Sequence, residues 1–285
     1  MQIIHTVSEL RNALKGQSSI GFVPTMGNLH DGHIQLVEIA KQHATCVVVS
    51  IFVNPLQFGA NEDFSSYPRT LEADCKKLDV AGANIVFAPT VHEMYPDFDG
   101  KQLNQTMTIT APPLADELCG ASRPGHFSGV ATVVMKLFNI VMPQIAVFGK
   151  KDFQQLLVIK SLVKQFNLPI DIIAGDTMRE PSGLAMSSRN GYLTPQQKSE
   201  AAHLQRCLQS IVQQIQQGNH DYASLEQSAS HELNSRGWQV DYVSVRSATT
   251  LAPASHQDKH LVALTAAKLG NTRLIDNIDF FALSS

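Results

Sequence analysis

The alternation of apolar and polar positions changes character once along the chain. Through residue 175, short apolar runs rich in β-branched residues alternate with segments whose apolar positions recur every three to four residues. The runs at 20–24, 46–53, 85–88, 145–149 and 170–175 predict strands, and the β-branched run at 46–53 suits a central parallel strand buried on both faces. The segments at 33–44, 71–81, 127–141 and 153–166 predict helices, the first with Leu36, Val37, Ile39 and Ala40 on one face. Thr6 and Glu9 have capping-box spacing ahead of a short helix to Leu14. Strands alternating with helices of this length predict an α/β fold, a Rossmann-like doubly wound parallel sheet.

Beyond Gly175 the regular repeat stops. Thr194 as cap and Pro195 in the first helical position predict a helix through Leu204, Leu208, Ile211 and Ile215 that Gly218 ends. A second helix is predicted over 222–235, then strands at 239–245, 261–264 and 274–278. These predict a smaller α+β C-terminal domain, with residues 1–176 and 177–285 as the two domains and a hinge at 178–192. The glutamines between 196 and 217 read as a solvated helix face.

Composition narrows the function classes. Hydrophobic residues make up 44% and charged ones only 16%, against about 25% charged in an average domain, so a packed globular chain is expected rather than a disordered one. The formal net charge is -3 with a pI near 6.4. No basic field of the kind that binds nucleic acid is present, so an anionic ligand must be held locally. Cys46, Cys75, Cys119 and Cys207 form no C-x-x-C pair, and a reducing compartment is expected. Residues 1–6 show no basic segment followed by an apolar run. The apolar run at 46–53, interrupted by Ser50, is far short of the roughly 20 residues that span a bilayer. A cytoplasmic chain without a membrane partner is the expectation.

The densest chemistry lies in Pro24-Thr25-Met26-Gly27-Asn28-Leu29-His30-Asp31-Gly32-His33, where the first long strand passes into its helix. In a doubly wound fold that turn binds ligands. Gly27 and Gly32 permit close backbone approach, the helix start offers N–H groups, and His30 and His33 add side-chain donors, a combination suited to a triphosphate. The same spacing is also compatible with a plain helix start, or with a metal pair lacking its third ligand. Neither a G-x-x-x-x-G-K-[ST] loop nor a G-x-G-x-x-G turn occurs. In Gly183-Leu184-Ala185-Met186-Ser187-Ser188-Arg189-Asn190, two hydroxyls and a guanidinium are suited to closing over phosphate oxygens; alone, the segment also reads as a polar hinge. Gly149-Lys150-Lys151-Asp152 ends a strand, with Lys151 available to a phosphate and Asp152 to cap the next helix. Asn54 and Gln57 in the segment 52–58, with Gln155, are neutral amides that hold a carboxylate without masking its charge. Tyr67-Pro68-Arg69-Thr70-Leu71 and the loop at 121–127, with Arg123 and His126, complete the segments of interest.

Taken in order, these segments resemble the adenylyl-transferring superfamily in the form of the pantothenate synthetase family. The decapeptide is similar to its HIGH-type signature, and 183–190 is similar to its KMSKS-type loop, with Arg189 in the place of the second lysine. The similarity runs from 20 to 190 and resumes at Arg273-Leu274-Ile275-Asp276-Asn277. The resemblance implies condensation of (R)-pantoate with β-alanine through a pantoyl adenylate, consuming ATP with Mg2+ and releasing AMP and pyrophosphate on the way to coenzyme A. It implies ATP contacts at Pro24, Met26, Gly27, Asn28, Leu29, His30, Asp31, Gly32 and His33. Further ATP contacts are implied at Gly149, Lys150, Lys151, Asp152, Met178, Met186, Ser187, Ser188 and Arg189. Catalytic roles fall to His33, His30, Lys151, Ser187, Ser188 and Arg189, and substrate binding to Gln57, Gln155, Asn54 and Arg123. Lys150 stands where the family usually has an acidic or amide residue, which leaves the local charge open. The resemblance also implies a C-terminal lid and a homodimer through the N-terminal domain. No residue is assigned as general base or metal ligand. Two other functions use the same motifs: a nucleotidylyltransferase that keeps AMP on its product, and a nucleotide-sensing or RNA-binding module. The negative charge opposes the RNA reading, and the intact phosphate clusters oppose a degenerate sensor.

Overall fold

Two compact units emerge in the computed structural model, which describes residues 1–59 and 64–282. The first comprises Met1–Pro112, Arg123–Gly149 and Val158–Gly175; the second comprises Pro113–Ser122, Lys150–Leu157 and the chain from Asp176 onward. In chain order the elements are β1 (Gln2–Ile4), α1 (Val7–Leu14), β2 (Ile20–Thr25), α2 (Asp31–His43), β3 (Cys46–Ile51), α3 (Leu71–Ala81), β4 (Ile85–Phe87) and α4 (Val91–Met94). Then come α5 (Cys119–Ser122), α6 (His126–Val141), β5 (Ile145–Gly149), α7 (Phe153–Gln165) and β6 (Asp171–Gly175). The chain closes with α8 (Pro195–Ala201), α9 (His203–Gln216), α10 (Tyr222–Ser235), β7 (Gln239–Ser247), β8 (His260–Leu269) and β9 (Thr272–Phe281).

The expected doubly wound sheet is present. Its strands lie in the order β1-β4-β3-β2-β5-β6 and pair parallel throughout. Val47, Val48 and Val49 at its centre are fully buried, as an apolar run broken only by Ser50 requires. Val23, Val37, Ala40, Leu78, Val86 and Val147 join Val47 and Val49 in one core. β1 has no counterpart among the predicted strands, because three residues with a single buried side chain, Ile4, carry too little pattern to read. Order β3-β2-β5 places the ends of β2 and β3 side by side at the carboxyl edge, with Thr25 opposite Ile51. The strand order reverses at β2, between β3 on one side and β5 on the other, the usual position of a ligand crevice.

The second unit holds a three-stranded antiparallel sheet, β7-β8-β9. Leu204, Leu208, Ile211 and Ile215 of α9 and Leu225 and Leu233 of α10 pack with Leu261, Ala263 and Ala267 of β8. The single helix expected from 195 is two, because at Ala202 the N–H turns to the Glu200 carbonyl instead of continuing the helical ladder. β8 and β9 run well past their predicted ends. The residues Thr265, Ala266 and Ala267 carry no alternating pattern, and burial against the helices holds them in register. A boundary at 176/177 also leaves out two earlier segments. Gln154 shows why they belong to the second unit: its amide donates to the carbonyls of Leu114 and Glu117, each at 2.8 Å, and accepts from the Cys119 N–H at 3.1 Å.

Candidate active site

Strand β2 ends in Thr25, whose hydroxyl donates to the Ser50 carbonyl at 2.7 Å and accepts from the Gly27 N–H at 3.3 Å. Gly27 has φ +84°, and a Cβ there would lie 3.1 Å from Ile51 and 3.2 Å from Asp74, so glycine alone fits this turn without displacement. Asp74 of α3, 1% exposed, organises the next two residues of the loop. Its carboxylate accepts from the N–H groups of Asn28 (2.9 Å) and Leu29 (2.8 Å) and from the Thr70 hydroxyl (3.0 Å). Lys77, almost one turn later, donates to the Leu29 carbonyl at 2.5 Å. A buried carboxylate is sustained here because three donors converge on it.

His30 is the cap residue of α2, and its N–H donates to Nδ1 of His33 at 3.2 Å. The accepting Nδ1 must carry a lone pair, which leaves the His33 proton on Nε2 as a donor. The N–H groups of Gly27, Asn28, Leu29 and His30 are therefore all engaged within the protein. The expectation of a glycine-lined backbone cradle narrows accordingly to the first turn of α2, with Asp31 and Gly32, and to side-chain donors.

Beside β3, Asn54 is buried and saturated. Its Nδ2 donates to Gln57 Oε1 and the Gly129 carbonyl, each at 3.2 Å, while its Oδ1 accepts from Tyr95 Oη (2.5 Å) and the Leu56 N–H (3.3 Å). Burial pushes the Tyr95 phenol up, which keeps it a donor. Asn54 thus fixes the orientation of Gln57, whose Nε2 donates to the Met26 thioether at 3.0 Å. A thioether is a weak acceptor, so this amide is poised to exchange it for a better one. His126 and Arg123 hold Gln57 from the other side: His126 Nδ1 donates to the Gln57 carbonyl at 2.8 Å, Arg123 reaches the same oxygen at 3.4 Å, and Arg123 donates to His126 Nε2 at 3.0 Å. Pro24, Met26 through His33, Asn54, Gln57 and Arg123 all lie in the first unit.

Lys150, Lys151, Asp152, Gln155, Met178 and Met186 through Arg189 lie in the second unit, while Gly149 ends β5 in the first. The Met186 N–H bonds to the Met178 carbonyl at 2.9 Å, and Gly183, at φ +97°, makes the intervening turn. Asn190, buried, donates to the Ala185 carbonyl and to Glu180, each at 3.1 Å. Ser187 caps the short turn after it by accepting from the Arg189 N–H at 3.2 Å. Arg179 braces this hairpin, donating to the Gly183 carbonyl at 3.1 Å and pairing in two-pronged fashion with Asp276 at 2.7 and 2.9 Å. Asn277 donates to the carbonyls of Lys150 (2.9 Å) and Lys151 (2.7 Å). Lys150 is not an isolated cation. Burial lowers its pKa, but Asp176 at 2.9 Å and Asp279 at 3.3 Å outweigh that and raise it. Lys151 lies 3.8 Å from Asp152.

The family model for Pantoate-beta-alanine ligase matches residues 2–279. The chain belongs to the pantoate-β-alanine ligase family. It is 66% identical over 280 residues to the pantothenate synthetase of Methylobacillus flagellatus, covering 98% of this chain and 99% of that one. It is 57% identical to that of Thiobacillus denitrificans, covering 98% and 97%. The solved pantothenate synthetase of Thermus thermophilus superposes with a TM-score of 0.91 at 42% identity, covering 98% and 99%. A solved Francisella tularensis pantoate-β-alanine ligase, complexed with beta-gamma ATP and β-alanine, has a TM-score of 0.80 at 35% identity, covering 98% and 97%. This chain is accordingly a ligase that forms an amide bond. Sequence reasoning missed Asp74, Arg179 and the bracing contacts of Asp276 and Asn277 in the ligase. A buried acid in α3 gives no periodic signal, and only its spacing four residues after Thr70 hinted at a local bond. No helix among the described residues is long and apolar enough to cross a membrane.

Proposed function

We propose that the chain condenses (R)-pantoate with β-alanine in two steps, using ATP that arrives as its magnesium complex. In the first, a pantoate carboxylate oxygen bonds to the α-phosphorus of ATP and pyrophosphate leaves. In the second, the neutral β-alanine amine attacks the acyl carbon of pantoyl adenylate, AMP leaves with the bonding pair, and the nitrogen loses a proton to form the amide. The observation that carries this reading is the fixed His33 tautomer at the start of α2. Its Nε2–H, together with the helix N-terminus, supplies donors where phosphate charge builds, electrostatic work of about 3–4 kcal/mol per donor in comparable sites. Gln57, oriented by Asn54, is the proposed pantoate anchor with Gln155. Lys151, Ser187, Ser188 and Arg189 are the proposed phosphate partners in the second unit. Because Lys150 is paired with two carboxylates, it adds less positive charge to the nucleotide than its position suggests. The Francisella relative with beta-gamma ATP and β-alanine supports the choice of substrates. A cytoplasmic homodimer, with the second unit in place of 177–285 as the lid on the adenylate, completes the proposal.

Mass spectrometry of a reaction with pantoate, β-alanine, ATP and magnesium, run beside single omissions, tests it. Pantothenate and AMP should appear in equal amounts, and pantoyl adenylate should accumulate when β-alanine is left out. His33→Ala should lower adenylate formation by about 100- to 1000-fold with an unchanged circular-dichroism spectrum. A stable adenylylated product with no free AMP would instead support the nucleotidylyltransferase reading.

A further inference from the structure

Helices α9 and α10 bring together three metal-class donors that the ligase chemistry does not use. His203 and Cys207 are four residues apart on α9, so their side chains leave the same face one turn apart. Glu232 comes from the last turn of α10. His203 Nε2 lies 2.6 Å from Glu232 Oε1, and the donor atoms of all three residues lie within 4.8 Å of one another. Tetrahedral zinc, with bonds of about 2.0–2.3 Å, needs donors roughly 3.3–3.8 Å apart, so the 2.6 Å His203–Glu232 contact must open and no pair needs to close from more than 4.8 Å. His203 and Cys207 are largely buried, which fixes two donors on a wall, while Glu232 is 51% exposed and leaves room for a solvent ligand. One thiol, one imidazole and one carboxylate match zinc-class ions and not the oxygen-seeking magnesium or calcium.

We propose that His203, Cys207 and Glu232 form a site for one zinc-class divalent cation that ties α9 to α10. None of the three belongs to the ligase site. A zinc-class cation takes Cys207 as its thiolate, so the thiol proton leaves on binding. Arg206 Nε donates to His203 Nδ1 at 3.2 Å, which places the imidazole proton on Nε2, facing Glu232. Binding therefore releases the thiol proton, moves the imidazole proton to Nδ1 and turns Arg206 away. Arg206 is exposed, so its side chain has room to rotate. One proton leaves per ion bound.

The test is a Co2+ titration of the full chain after stripping with a chelator. One ion per chain should bind with a sulfur-to-cobalt charge-transfer band, release about one proton at pH 8, give way to Zn2+, and raise Tm. Cys207→Ser should abolish the band. The exposed change Glu232→Gln, the least disruptive to folding, should weaken binding by about tenfold or more. Arg206→Ala should tighten it, because the donor opposing an Nδ1 proton is gone. A folded chain that shows no charge-transfer band, a band that survives Cys207→Ser, or weaker binding in Arg206→Ala would each overturn the proposal.

Discussion

The loop at 26–33 in the first unit and the hairpin at 178–190 in the second are both held from behind, but by groups of opposite kind. The first is a row of backbone donors gathered by one buried acceptor: Asn28 and Leu29 point their N–H groups at Asp74. The second is a row of carbonyls gathered by donors: Arg179 reaches Gly183 and Asn190 reaches Ala185. On the proposed function, the difference bears on which kinds of group each loop offers an anion. With its backbone donors engaged, the first loop must rely on the start of α2 and on histidine, whose geometry is rigid. The second carries Ser187, Ser188 and Arg189 on a hairpin braced by Arg179, whose charge Asp276 balances.

The largest effect expected from breaking this contrast is at Asp74. Asp74→Ala leaves the buried Leu29 N–H, the partly buried Asn28 N–H and the Thr70 hydroxyl without their acceptor, which should cost about 3 kcal/mol of unfolding free energy. Urea denaturation measures this. Asp74→Asn, which retains one oxygen acceptor, should recover part of the stability while adenylate formation stays impaired. Next is Arg179→Ala, which strands the buried carboxylate of Asp276 and should cost about 3 kcal/mol. Its kinetic signature should be a raised KM for ATP with little change in pantoate KM, which steady-state kinetics resolves. Gly129→Ala probes the support of Gln57 in the first unit: a Cβ there would collide with the Leu56 carbonyl. Because backbone must shift to admit it, about 2 kcal/mol of stability should be lost, and the pantoate KM should rise through displaced Gln57.

Glu200 sets the lower end of the comparison, an ion pair that braces no loop. It accepts from Arg236 at 2.6 and 2.7 Å and from Trp238 Nε1 at 3.0 Å. The Arg236 bonds, against the opposing effect of burial and with help from Trp238, bring its carboxyl down to about 2. A folded pKa below the unfolded one means that this stabilisation is complete above the ordinary carboxyl range and is lost as pH falls toward 2. Glu200→Gln should lower Tm slightly at pH 7, and the difference from the parent chain should vanish near pH 2. Ligase kinetics should not change.

The parallel sheet was legible because a strand buried on both faces must be apolar along its whole length, and 46–53 is nearly so. Helices α3 and α10 were legible from their 3.6-residue spacing, and α10 matches the predicted 222–235. Edge strand β1 and the outer halves of β8 and β9 were not, since short or alanine-rich segments become strands only through their neighbours. The candidate site divides in the same way. His30, His33, Gln57 and the cluster at 186–189 stood out because reactive or polar side chains gather in short motifs, most of them after strand ends, where a doubly wound sheet opens to ligands.

The groups that hold those residues in place did not stand out. Asp74 lies more than 40 positions from the N–H groups it gathers, and Asp276 lies 97 from Arg179. The sequence by itself determined the sheet and the family and singled out the two clusters proposed for phosphate, all of which rest on local period or on motifs of adjacent residues. Only the tertiary structure decided the His33 tautomer, the pairing of Lys150 with two carboxylates, and the assignment of 113–122 and Lys150–Leu157 to the second unit. Each of those depends on which distant donor meets which distant acceptor, and burial makes such a meeting obligatory without any local pattern to announce it.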